Sequence, residues 1–192
     1  MARSLEQLET HSFEQVWQSL AHNRWLPFAL LAIATASNVV YAHPPLVAFA
    51  TMSGVMLTRQ RAVTVALLSW LINQGIGFGL RGYPLTGVAF AWGILMGLGT
   101  LLVVALASWR PFFSQSTWTG HFLWLAIAVL SGFVLYQGSI LLAFPVLSDG
   151  HYLDWDIVAK LFLKQLVWAG AIALGHSLLL WRIFISSSSV ES

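Results

Sequence analysis

The chain contains no cysteine, and this absence removes several kinds of chemistry. Without cysteine there are no disulfides, no thiolate metal sites and no cysteine nucleophile. Charge is scarce as well, because only 8% of the 192 residues are charged whereas 58% are hydrophobic. Soluble domains usually carry about 25% charged residues. The composition therefore excludes an ordinary soluble protein and indicates a membrane protein.

Catalytic and nucleotide-binding patterns are also missing. No HExxH pair and no Ser-His-Asp arrangement can be assigned. The glycine-rich stretch at residues 75–82 is not a phosphate-binding loop, since no strand precedes it and no acidic residue follows about 20 residues later. The nine lysines and arginines are scattered and form no basic stripe. We therefore expect no enzyme, no cofactor of the protein's own and no nucleic-acid partner.

Long apolar runs predict an all-α integral membrane protein with six transmembrane helices in one bundle. The predicted helices cover residues 25–41, 45–57, 62–80, 85–108, 122–147 and 157–184. The second is short and is expected to be tilted, broken or buried among its neighbours. The domains expected are a cytoplasmic amphipathic segment (1–24), a membrane domain (25–185) and a polar tail (186–192). The first segment contains an amphipathic helix, 4–20, which lies either in the headgroup region or against the bundle.

The basic residues predict the orientation of these helices. If the segments alternate in direction, six arginines fall on one side of the membrane, and that side is then cytoplasmic. These are Arg3, Arg24, Arg59, Arg61, Arg110 and Arg182. Both chain termini are therefore expected in the cytoplasm.

Polar side chains inside a bilayer are costly, so they are candidates for function. The candidates that lie deepest are Asn38, Asn73, Gln74, Gln137, Lys164, Gln165 and His176. All except His176 fall in the outer half of the membrane and come from four helices, which favours a shared polar cavity open to the outside. Taken singly, each amide is also consistent with a hydrogen bond between helices, worth about 0.6 kcal/mol. Lys164 either enters the cavity or extends to the interface.

The loops at that end carry aromatic and charged residues, which a site for a large amphipathic ligand needs. One wall of the predicted site consists of Asn73, Gln74, Arg81 and Tyr83. The other wall consists of Gln137, Tyr152, Asp154 and Trp155. A second interpretation of the last loop is an interfacial turn in which Asp154 or Asp156 caps a helix N-terminus.

The run NQGIGF…GYP, from residue 73 to residue 84, is followed by FAWG at residues 90–93. This pattern is similar to the cobalamin-specific BtuM-type proteins, which are substrate-binding (S) components of energy-coupling-factor vitamin transporters. Six helices, a first helix rich in small residues and an outward ligand site also resemble S components over nearly the whole chain. The resemblance implies a bacterial cytoplasmic (inner) membrane protein that takes up cobalamin or a related corrinoid as its transported ligand.

The resemblance also implies partners and site residues. An Ala-x-x-x-Ala surface on the first membrane helix docks an energy-coupling transmembrane subunit with ATPases in this group, and Ala32 and Ala36 match it. Some BtuM-type members work without a dedicated coupling module. The family's cobalt-ligating cysteine corresponds to a position at or beside Leu80, so this chain departs from the pattern. His43, His151 or Tyr83 is then the candidate axial cobalt ligand, and imidazole is a suitable ligand for cobalt.

Two alternatives remain open at this stage. The chain is an S component for another vitamin, or it is a structural or assembly membrane protein whose amides hold helices together. The second alternative predicts that substitution of Asn73 or Asp154 by alanine disturbs stability alone.

Overall fold

The computed structural model describes residues 13–41, 43–148 and 154–188, and the regular structure within these ranges is helical. The helices are α1 (residues 13–21), α2 (Trp25–Val40), α3 (Leu46–Met56), α4 (Arg59–Gly75), α5 (Gly87–Ala107), α6 (Phe112–Ser116), α7 (Trp118–Leu147) and α8 (Trp155–Ser188). A π-helical turn, Ile76–Leu80, continues α4. All six predicted helical segments are helices in the structure, whereas the short α6 was not predicted. The first residues of the predicted polar tail belong to α8.

Within the described residues, four helical segments are long and apolar enough to cross a membrane. They are Arg59–Leu80, Gly87–Ala107, Trp118–Leu147 and Trp155–Ser186. With 16 and 11 residues, α2 and α3 are shorter than the roughly 20 residues that a perpendicular span requires. The architecture is therefore that of a helical membrane protein with four full-length candidate spans and two shorter apolar helices.

Helix α3 lies at the centre of the bundle. All 11 of its residues are buried, and α2, α4, α5, α7 and α8 all pack against it. Its sequence, LVAFATMSGVM, contains no charged residue and several small ones, so neighbouring helices can approach it from every side. This burial agrees with the expectation that the second predicted segment is enclosed by its neighbours.

A groove on α5 holds α4. Trp70 of α4 donates its indole N–H to the carbonyl oxygen of Gly93 at 2.8 Å. A Cβ added at Gly97 would lie 2.6 Å from the Trp70 ring, and one added at Gly93 would lie 2.5 Å from Oε1 of Gln74. The small-xxx-small pair of α5 therefore serves close helix packing, with two residues of α4 one turn apart seated in the groove.

Helix α1 packs against the bundle through one face. Phe13, Val16 and Leu20 are buried, and the Trp17 indole N–H donates to the carbonyl oxygen of Val55 at 3.1 Å. The rest of the predicted amphipathic helix lies outside the described residues.

The bundle has two ends, which we name after an arginine at each. The Arg81 end contains the C-terminus of α2, the π turn and the N-termini of α3, α5 and α8. The Arg110 end contains α1, α6, the N-termini of α2, α4 and α7, and the C-terminal half of α8. The predicted ligand site lies at the Arg81 end.

Candidate functional site

The predicted first wall begins in the last turns of α4. Asn73 is buried, and the side chain of Gln74 lies against Gly93 with its Nε2 donor buried and without a partner among the described residues. The helix then widens into the π turn Ile76–Leu80, a rare geometry that frequently occurs at functional sites. Gly82 follows with φ of 66°, a conformation that favours glycine, so the chain leaves the helix sharply there.

Arg81 contacts the end of another helix. Its Nη2 donates to the carbonyl oxygens of Asn38 and Tyr41, the second at 2.7 Å. These carbonyls belong to the C-terminus of α2, where the helix dipole favours a positive charge. Part of the predicted ligand wall is therefore a cationic cap that joins α2 to the turn after α4.

An aromatic group covers the π turn. The rings of Phe78 and Phe90 stack with centroids 4.8 Å apart, and Tyr83 meets Phe78 edge-on at 6.2 Å. The Tyr83 ring also sits over Gly77, where a Cβ would lie 2.7 Å from it. Leu80 is 82% exposed beside this group. Phe78 and Phe90 were not predicted as site residues, although the stacked pair contributes much of the aromatic surface here.

The second predicted wall is only partly described. Gln137 of α7 is buried and Trp155 is 68% exposed, whereas His151 and Tyr152 lie outside the described residues. Asp154 accepts a hydrogen bond from the backbone N–H of Asp156 at 2.9 Å, so it caps the start of α8. Helix α4 carries part of the first predicted wall and α7 part of the second. Both pack against α3 and α5, so α3 and α5 connect the two walls.

A polar cluster links the α2–α3 loop to α8. Lys164 donates to the carbonyl oxygen of His43 at 3.2 Å and lies 4.8 Å from the centroid of the Tyr41 ring. The next residue, Gln165, accepts from the backbone N–H of Ala48 at 2.9 Å, which caps the N-terminus of α3. Two polar residues of α8 therefore bind backbone groups of the central helix and its preceding loop.

Of the two histidines considered as cobalt ligands, His43 lies within the described residues and His151 does not. Desolvation by the surrounding protein lowers the pKa of His43, and the positive charges of Lys164 and Arg81 lower it further. The imidazole is therefore neutral near pH 7 and retains the nitrogen lone pair that metal ligation requires. Within the described ranges, no three His, Cys, Asp or Glu side chains form a group that could hold a metal ion.

The predicted docking residues lie on the outward side of α2. Ala32 and Ala36 are both exposed, whereas Ala34 between them is buried. The Ala-x-x-x-Ala pair is thus accessible to another helix.

A buried histidine pair at the Arg110 end was not predicted as a pair. Nε2 of His121 in α7 lies 3.1 Å from Nε2 of His176 in α8, and both side chains are fully buried. Neither Nδ1 has a partner among the described residues. The sequence holds a signal, because both histidines interrupt apolar helices and lie roughly equally far from the α7–α8 connection. The pair therefore forms a polar contact between α7 and α8.

Two clefts lie away from the predicted walls. One, of about 390 Å³, separates α2 from α4 near Phe28 and Arg61. The other is a shallow apolar surface along α8 near Leu178 and Trp181. Comparison of the chain with protein-family models, curated proteins and solved structures finds no match in any of the three.

Proposed function

We propose that this chain is the membrane substrate-binding component of an uptake system for cobalamin or a related corrinoid. In this proposal all six apolar helices, α2, α3, α4, α5, α7 and α8, form the membrane domain. Both termini are cytoplasmic, and the ligand enters at the Arg81 end from outside. The shorter helices α2 and α3 contribute to the bundle without each crossing the bilayer perpendicularly.

The observation that carries the proposal is the π turn and its surroundings. Behind the turn lie a buried amide, Asn73, and an unpaired amide donor on Gln74. In front of it lie the stacked rings of Phe78 and Phe90 and the exposed Leu80. A corrin ring has broad apolar faces and peripheral amide groups, so it matches both aromatic surface and amide partners.

The cobalt atom has few partners in this arrangement. A leucine side chain has no lone pair, so position 80 offers apolar contact alone. The neutral imidazole of His43 is the described residue best suited to the axial position. We therefore expect the corrin to be held mainly by shape and by amide hydrogen bonds, with its cobalt ligand unchanged or supplied by His43.

An energy-coupling transmembrane subunit with its ATPases is the proposed protein partner. The exposure of Ala32 and Ala36 on α2 supports a helix–helix contact there, since small residues let two membrane helices approach closely.

A second candidate function is that of a structural or assembly protein, and a specific observation favours it. Arg81, Lys164 and Gln165 all bind backbone groups, as expected for side chains that hold helices together. An S component for a different vitamin would use the same fold and another ligand.

A gain of cobalt ligation tests the corrinoid proposal. The Leu80→Cys variant is expected to bind cobalamin about tenfold more tightly and to shift its visible spectrum, because a thiolate then reaches cobalt. Leu142→Cys is a matched control, since Leu142 is 83% exposed on α7. Equal binding and unaltered spectra for both variants would contradict a corrin seated on the π turn.

Uptake itself is tested by growth. The full chain is expressed in a bacterium whose methionine synthesis depends on imported cobalamin and whose own importer is deleted. Growth is expected with the native chain and is expected to be lost with Asn73→Ala or Tyr83→Ala at unchanged protein level. Absence of growth even with a coupling module present would favour the structural function or another vitamin.

A further inference from the structure

The cleft between α2 and α4 has the form of a groove with an apolar floor and a polar mouth. Its volume is about 390 Å³. Phe28 and Leu31 of α2 face Val65 and Leu68 of α4 along its length, and Gln60 and Arg61 lie at the end nearest the α1–α2 turn. Because α4 is a candidate membrane span, the apolar part of the groove runs into the bilayer. It has room for a hydrocarbon chain, and the hydroxyl of Thr64, which also lines it, donates to the carbonyl oxygen of Gln60 at 3.0 Å.

The mouth of the groove is lined by Arg61, and two further arginines lie close to it in the sequence. Arg59 and Arg61 lie in the first turn of α4, and Arg24 immediately precedes α2. In the described part of the chain, Lys160 and Asp156 form an ion pair. None of the three arginines forms one there. No acidic residue occurs in the first turn of either helix. Both helix N-termini add partial positive charge to that of the guanidinium groups.

Arg61 is held at this mouth by the backbone. Its Nη1 donates to the carbonyl oxygens of Ala21 and Asn23 at 3.2 and 3.3 Å. These bonds use one of the nitrogens of a group that has five N–H donors. Among the described residues the remaining edge of the guanidinium has no partner, and its planar fork is suited to a phosphate.

Charge and shape together identify the ligand class. A free phosphate would use the arginines and leave the groove empty, whereas a neutral lipid would use the groove and leave the arginines without a counterion. Basic pockets between membrane helices are known to bind anionic headgroups. Trp25, 77% exposed beside the mouth, is of the residue type that anchors at the headgroup level.

We propose that the α2–α4 cleft binds one anionic phospholipid, with its phosphate on Arg61 and one acyl chain between Phe28, Leu31, Val65 and Leu68. This site is separate from the proposed corrinoid site and does not depend on it. It would join α2 to α4 at the end of the bundle where their first turns meet.

Native mass spectrometry of the full chain in detergent tests the proposal. The protein is equilibrated with phosphatidylglycerol and phosphatidylcholine of identical acyl chains. One phosphatidylglycerol is expected to remain bound with about tenfold preference. Arg61→Gln is expected to abolish the preference by removing the phosphate contact. Leu68→Trp is expected to reduce binding by filling the groove, without altering any charge.

Lys160→Gln is the matched control, since it removes one positive charge from an exposed position on α8 and is expected to leave binding unchanged. Arg61 also supports the α1–α2 turn, so Leu68→Trp keeps the test valid if Arg61→Gln fails to fold. Equal retention of the two lipids would overturn the proposal, as would unchanged retention in Leu68→Trp. Displacement of the lipid by inorganic phosphate alone would reduce the site to an anion site and would also overturn it.

Discussion

The two ends of the bundle use cations and imidazoles in different ways. At the Arg81 end, Arg81 and Lys164 donate to backbone carbonyls of α2 and of the loop after it. At the Arg110 end, the Arg110 guanidinium carbon lies 3.2 Å from the centroid of the Trp17 ring, and its Nε is buried without a partner among the described residues. Burial lowers the pKa of Arg110 to about 10, although the charge of Glu14 opposes this shift.

The histidines repeat the contrast. His43, at the Arg81 end, lies in the loop between α2 and α3, whereas His121 and His176 bond to each other beside the ring of Phe13. At the first end Arg81 and Gln165 complete helix termini, which is a structural task that leaves the π turn and its aromatic surface open. Polar side chains at the second end are enclosed and only partly paired. Substitution of the enclosed histidines should therefore cost more stability than substitution of His43.

The histidine pair should give the largest effect. His121→Leu removes one partner and leaves Nε2 of His176 buried without a hydrogen bond, so we expect a loss of about 2 kcal/mol in the free energy of unfolding. The double variant His121→Leu/His176→Leu should cost less than the sum of the single variants, because no polar atom is then stranded. Unfolding in detergent measures all three. His22→Leu, at an exposed histidine, is the control, and additive losses would contradict a coupled pair.

Loss of the α3 cap should give the next largest effect. Gln165→Leu leaves the Ala48 backbone N–H without its acceptor inside the bundle, and we expect a cost of about 1 to 2 kcal/mol. Amide hydrogen exchange at Ala48 should accelerate at the same time. Gln18→Leu, at an exposed glutamine of α1, should change neither quantity. An unchanged exchange rate in Gln165→Leu would show that another group satisfies this donor.

The two arginines allow a direct comparison by the same substitution. Arg81→Gly removes a cation from the C-terminus of α2 and should cost about 1 kcal/mol. Arg110→Gly loses the stacking on Trp17, but Arg110 has φ of 43°, a conformation that glycine adopts without strain. Because this relief offsets part of the lost stacking, Arg110→Gly should cost less than Arg81→Gly. The difference is measured by thermal unfolding of both variants. An equal loss would mean that the stacking at Trp17 outweighs the backbone relief.

The pH dependence at His43 should be the smallest effect. Its pKa is lowered in the folded chain, so the unfolded chain binds more protons at this residue once the pH falls below about 6.5. The folded state consequently loses stability as the pH falls through that value, and the loss is absent above it. As the pH is lowered, the midpoint of thermal unfolding should decrease less steeply in His43→Gln than in the native chain. Identical slopes would exclude a contribution from His43.

The sequence predicts the helices well because hydropathy is a local property. Each of the six apolar segments is a helix in the structure, and burial of Asn73, Gln137 and Gln165 follows from their apolar surroundings. Their partners are not local. Gln165 meets Ala48 across 117 residues, and that contact depends on how α8 is rotated against α3. Hydrophobic periodicity is weak in helices that are apolar all round, so it does not predict such rotations.

The candidate site shows the same limit. The glycine-rich stretch after Asn73 predicts an irregular helix end, and the structure contains the π turn there. The role of Arg81 as a cap for α2 depends on the position of the α2 C-terminus, which no motif near residue 81 encodes. The histidine pair likewise requires that α7 and α8 present His121 and His176 at one level and on facing sides.

The fully enclosed helix α3 has a consequence for biosynthesis. At about 1.5 Å per residue its 11 residues reach only about 16 Å, roughly half the hydrocarbon thickness of a bilayer. When it leaves the ribosome, α5, α7 and α8 have not yet been synthesised. The helices that bury α3 are therefore incomplete until translation is nearly finished. We expect α3 to insert stably only after α8 has been made, because Gln165 of α8 supplies the acceptor for the Ala48 N–H at the N-terminus of α3.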